Sequence, residues 1–94
     1  MYYPLARNGV ERVLRQPALR ALVDSLYERE EGNANYRAFV KWYCHRTRES
    51  PLTIRRHLRE LARFGVVTLH RETPSGRLVV EGNDDYLQYT SLAS

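Results

Sequence analysis

Between positions 50 and 77 the chain concentrates groups suited to a polyanion: Arg55, Arg56, Arg59 and Arg63, then Arg71 and Arg77, with the hydroxyls of Ser50, Thr53 and Ser75 among them. An arginine offers two parallel N–H donors to a phosphate or to the O6 and N7 edge of guanine, and a serine or threonine hydroxyl can hold a phosphate oxygen. Leu52 adds methyl groups of the kind that meet a thymine methyl. Across positions 37–77 ten Lys and Arg residues face three glutamates, a net +7, which leaves −3 on the rest of a chain whose total is +4. A cationic concentration of this kind is the electrostatic footprint of a nucleic-acid binder.

The elements that must carry these groups follow from the flanking residues. Ser50 suits an N-cap, Pro51 the first helical position and Gly65 the helix end, so a helix is expected over about 51–64. On a helical wheel Ile54, Leu58 and Leu61 form one stripe. Leu52, Arg56, Arg59 and Arg63 fall opposite, with Thr53 and Arg55 flanking. Glu60 is the only acid in this stretch, so a surface of alternating ion pairs does not describe it. Val66–Arg71 and Arg77–Gly82 are rich in β-branched residues and flank Pro74-Ser75-Gly76, which predicts strand, turn and strand, with Gly76 free to take a positive φ. Arg71 and Arg77 then stand at the two shoulders of the turn.

The run Ser50-Pro51-Leu52-Thr53-Ile54-Arg55-Arg56-His57-Leu58-Arg59-Glu60-Leu61, continued by Phe64-Gly65-Val66-Val67, resembles the winged helix-turn-helix superfamily of transcriptional regulators. The resemblance covers about 17–82 and implies a mainly α fold with a β-hairpin wing, a three-helix core plus wing. It implies a sequence-specific protein for double-stranded DNA, a regulator of transcription. The recognition helix 51–64 would lie in the major groove and the wing 66–82 on the backbone or in the minor groove. Arg55 and Arg56 are then the candidates for base edges, Arg59 and Arg63 for backbone, Ser50 and Thr53 for phosphate, and Arg71, Ser75 and Arg77 for the wing contacts.

Elsewhere Pro17, Leu19, Leu22, Val23 and Leu26 predict a helix over 17–30, ended by Gly32-Asn33. Val10, Val13 and Leu14 predict one or two helical turns before a break at Gln16. Asn33 or Asn35 caps a further helix to about 46, whose apolar stripe is Tyr36, Phe39, Val40, Tyr43 and Cys44. Trp42 lies off that stripe and marks either a protein-partner surface or a cover over a wing strand. The ends are aromatic, with Tyr2 and Tyr3 at one and Tyr86, Leu87 and Tyr89 at the other. Segments 1–16 and 83–94 are therefore either straps over the core or the seam of a homodimer. Residues 83–85 could cap a terminal helix, although 86, 87 and 89 also fit a strand.

Ninety-four residues, 43% hydrophobic and 28% charged, describe a single globular domain over 1–94. No segment reaches the ~18 apolar residues of a membrane span and no secretory signal opens the chain, so the cytoplasm is expected. Cys44 is the only cysteine, and His45, His57 and His70 lack the spacing that pairs ligands on a helix, so no metal or cofactor is expected. No nucleophile–base pair or phosphate-cradling glycine loop points to an enzyme. The competing reading is a winged-helix protein-interaction or assembly module, for example a replication or plasmid-partition adaptor.

Overall fold

Proline and asparagine set the element boundaries in a computed structural model of the chain, which describes residues 7–93 and the side chains of 8–88. Helix α1 (Arg7–Arg15) stops at Gln16, whose extended backbone (φ −106°, ψ 102°) is the conformation favoured before a proline, and Pro17 opens α2 (Pro17–Glu30). Left-handed Glu31 and Gly32 end α2, their N–H groups returning to the carbonyls of Tyr27 and Leu26. Strand β1 (Asn33–Asn35) follows, then α3 (Tyr36–Thr47), capped by Asn35 Oδ1, which accepts from the Ala38 N–H at 3.0 Å. After a three-residue connection come α4 (Pro51–Arg63), β2 (Val67–Arg71), β3 (Leu78–Gly82) and α5 (Asp84–Ala93).

The result is mainly helical with one three-stranded antiparallel sheet in the order β1-β3-β2. Its inner face carries Ala34, Val67 and Val80 to the helices, against Leu19, Leu22, Val23 and Leu26 of α2, Phe39 and Val40 of α3, and Ile54, Leu58 and Leu61 of α4. Tyr27 closes the sheet end. Its ring lies on Gly32 and Gly82, where an added Cβ would collide with it, and the Gly82 N–H donates to the Gly32 carbonyl at 2.6 Å.

The helices over 17–30 and 51–64 and the hairpin stand within a residue of their predicted bounds. Three features differ from the sequence expectations and a fourth settles an alternative left open. Strand β1 was not foreseen: Asn33-Ala34-Asn35 has weak strand propensity and is held by pairing Ala34 with Val80 on the central strand. The core also reaches past 17–82, because Val10, Val13 and Tyr86 are 2%, 0% and 1% exposed. Gly76 does not have a positive φ; it is small because a Cβ there would meet the Thr73 side chain and backbone nitrogen. Residues 84–93 are helical, resolving the open choice at the C-terminal end. Asn83 Oδ1 accepts from the Asp85 N–H, and Asp84 and Asp85 sit in the first turn, where carboxylates suit the helix dipole.

Among the described residues, no helix is long and apolar enough to cross a membrane.

Candidate nucleic-acid interface

Helix α4 is fixed at both ends, so the direction of its side chains is fixed too. Ser50 Oγ accepts the Thr53 N–H at 3.2 Å and donates to Thr53 Oγ1 at 2.9 Å, while Pro51 fills the first turn. At the other end Gly65 is left-handed (φ 77°); its N–H reaches the Ala62 carbonyl, and the Val66 N–H reaches that of Leu61. These two bonds make a Schellman close. Asn83 tightens it from the far side, Nδ2 donating to the Gly65 carbonyl and N–H to that of Val66. With Ile54, Leu58 and Leu61 buried, the opposite face presents Leu52, Arg56, Arg59 and Arg63 to solvent, and Leu52 is 60% exposed. An exposed leucine within a cationic face is the arrangement that a thymine-methyl contact needs. The Ser50–Thr53 bond occupies one of the two hydroxyl protons, leaving a single hydroxyl donor for a phosphate.

The β2–β3 hairpin is equally braced. Thr73, Pro74, Ser75 and Gly76 make a turn closed by the Gly76 N–H to the Thr73 carbonyl at 2.9 Å, with proline at its second position. Arg71 Nη1 donates to the Gly76 carbonyl at 2.9 Å, so part of its guanidinium is committed to the turn. Arg77 and Ser75 are exposed and carry no such commitment. Leu78 pairs with Arg71 in the ladder, so Arg71 and Arg77 stand on the two strands at the shoulders of the turn, and both line one groove.

Arg55 stands apart from the other α4 arginines. It lies on the flank that looks toward α3 and the hairpin, lining one groove with Arg37, Arg71 and Arg77, above Asn35 and Tyr36. The sequence predicted Arg55 as a base reader beside Arg56; the structure places it, exposed, in a four-arginine groove between the start of α3 and the hairpin. Arg37 was counted in the charge of 37–77 but not assigned to the site. The missed signal was its place in the first turn of α3, since the β1–β3 pairing that carries this turn to the hairpin is a tertiary contact. Among the described residues the ion pairs are Arg20–Asp24, Arg29–Glu30 and His70–Glu81, none of which engages these arginines or those of the α4 face. Like charges held together without neutralising acids are an unfavourable arrangement in a free protein and a favourable one against a polyanion.

Two further expectations meet the structure differently. Trp42 is half-buried, tilted on Phe39 and Tyr43, and the guanidinium of Arg29 lies 4.4 Å from its ring centre with that of Arg46 at 5.4 Å. It thus packs against the end of α2 through Arg29. Tyr86, which the sequence left as either a strap over the core or part of a dimer seam, is inside the core, as are Val10 and Val13 of the N-terminal stripe. Their apolar character is spent within one chain. Tyr2 and Tyr3 and the side chain of Tyr89 lie outside the described residues, while Leu87 is 43% exposed. Comparison with family models, with characterised proteins and with solved structures returned no match.

Proposed function

We propose that the chain is a winged helix-turn-helix protein that binds double-stranded DNA and acts as a sequence-specific regulator. The observation that carries this reading is the set of exposed arginines on α4 and the hairpin, held on capped, rigid elements without an acidic partner. The element order supports it: two helices joined by a short turn, α4 followed directly by a hairpin, and a small strand pairing the hairpin back to the helices. In this reading α4 enters the major groove with Leu52 and Arg56 toward base edges. Arg59 and Arg63 follow the backbone, and Arg77 with Ser75 reaches the adjacent backbone or minor groove. Arg55, Arg37 and Arg71, which line one groove, would hold further phosphates. Two copies related by a dyad would read two half-sites about one helical turn apart.

Fluorescence anisotropy with a labelled duplex of random sequence tests the reading. Binding at low salt that weakens linearly in log–log form as salt rises is expected. Absence of binding at low salt would overturn it and favour the protein-interaction alternative.

A further inference from the structure

We propose that the cleft between α3 and the start of α4 binds a small organic anion with a flat apolar body, an aromatic carboxylate by chemistry, and that this ligand displaces DNA. The displacement half rests on the DNA-binding reading; the site itself does not.

The apolar stripe of α3 is wider than the core that covers it. Phe39 and Tyr43 turn inward and are 1% and 4% exposed, whereas Tyr36 and Cys44, which stand one turn either side of Val40, are only half-buried. Tyr36, Val40 and Cys44, with Pro51 from α4, form the floor of a cleft of about 270 Å³. This is just below the range of about 300–1,000 Å³ usual for ligand sites, and suits a small ligand. Its rim is Arg37, Lys41 and His45, each one residue further round the same helix, and Arg55 from α4. No acid lines it. By contrast, the cleft beside Phe64 includes Glu11 and the one at the sheet end includes Glu81 and Asp84. An apolar floor beneath a wholly cationic or imidazole rim selects an amphipathic anion: the ring takes the floor and the carboxylate takes two N–H donors of an arginine. A bare phosphate would leave the floor empty, and a neutral ring would leave the rim unanswered. Arg37 and Arg55 also line the neighbouring four-arginine groove, so a carboxylate held by them and a DNA phosphate compete for the same donors.

The test uses 1-naphthoate as the probe, added to the full chain without DNA and followed by amide NMR shifts. Saturable shifts centred on Tyr36, Val40 and Cys44 are expected, with a Kd of about 1 mM or tighter. Neutral 1-naphthamide should bind at least about fivefold more weakly, and so should naphthoate to the Arg37→Ala or Lys41→Ala variants, both changed at exposed positions. Arg37→Lys should retain most of the binding. No saturation at these residues by roughly 10 mM naphthoate, or naphthamide binding as tightly as naphthoate, overturns the site. Arg15→Ala, exposed on α1 and off the cleft, should bind naphthoate like the parent. Naphthoate should then lower the parent's DNA affinity in step with its occupancy. Naphthoate binding with unchanged DNA affinity overturns the displacement and leaves the site standing. A chain that takes naphthoate but no DNA instead overturns the DNA reading.

Discussion

At the scale of single residues, two exposed arginines would make opposite demands in the proposed DNA complex. Arg56 points away from the core in the middle of a helix, where two N–H donors can span a guanine edge, whereas Arg77 stands beside a braced turn, where phosphate is within reach. Arg56→Ala should cost about 1–3 kcal/mol on the preferred site and flatten the preference among sites. Arg77→Ala should weaken all duplexes alike and lower the salt slope by about one. Site selection from random duplexes, run on both variants, separates these outcomes, and the reverse pattern would exchange their roles. The buried tyrosines speak to stability instead. Tyr86 fills the core, yet its hydroxyl has no partner among the described residues. Tyr86→Ala should therefore cost about 3–5 kcal/mol, whereas Tyr86→Phe should be neutral or stabilising, as urea titration would show. Tyr27 Oη makes no hydrogen bond within 3.5 Å; burial, then the nearby Asp84, Tyr86 and Glu81, push its pKa up to about 12. The folded chain then keeps a proton that the unfolded chain loses near pH 10, so stability is intact below that pH and falls between about 10 and 12. The fall is up to about 1.4 kcal/mol per pH unit for this group. Urea midpoints at about pH 9 and about pH 11 should converge in the Tyr27→Phe variant relative to the parent.

At the scale of elements, backbone handedness at the helix ends decides how firmly α4 is aimed. Gly65 and Arg48 are both left-handed, at φ 77° and 67°, one closing α4 and the other closing α3 before the turn. The same steric rule acts on them with opposite sign. Gly65→Ala should destabilise by about 1–2 kcal/mol, while Arg48→Gly should stabilise by up to about 1 kcal/mol and remove one cation from the turn. Thermal melts of the two variants moving in the same direction would show that the caps are not governed by φ. Leu58→Ala and Phe39→Ala, both at 1% exposed positions joining α3 and α4, should each cost about 2–5 kcal/mol. These helices were legible because their signals are local: Pro17, Asn35, Ser50 and Gly65 act through bonds within a few residues, and the stripes repeat at helical spacing. Strand β1 was not legible, since nothing in Asn-Ala-Asn announces a partner some 46 residues away. The place of Tyr86 was left open for the same reason. Whether an aromatic is covered depends on what other elements bring to it, and the sequence shows only that it is aromatic. The charged face was visible in composition, but the convergence of Arg37, Arg55, Arg71 and Arg77 depends on the β1–β3 pairing.

At the scale of the whole molecule, charge is separated as well as concentrated. The +7 of positions 37–77 lies on α3, α4 and the hairpin, while Asp24, Glu28, Asp84 and Asp85 are exposed on α2 and α5. A dipole of this kind orients the approach of a protein to a polyanion before contact. It also bears on self-association. The aromatic end that offered a dimer seam has been drawn into the core at Tyr86, and cutting the chain after Asn83 would remove a core residue along with any seam. Truncation therefore unfolds the domain and says nothing of a dimer. Counterion release reports on stoichiometry without disturbing the fold. If each copy neutralises about five phosphates, the slope of log affinity against log salt is about −4 to −5 for one copy. A duplex carrying two dyad-related half-sites would then give about twice that for paired binding. Leu87 is 43% exposed on α5, so a charge placed there meets solvent. On DNA the parent should show the doubled slope on the paired site and the single slope on a half-site. If α5 forms the seam, Leu87→Glu should return the paired-site slope to the single value while leaving half-site affinity unchanged. A single slope for the parent on both duplexes would mean that each copy binds alone, and that its specificity comes from α4 and the hairpin within one chain.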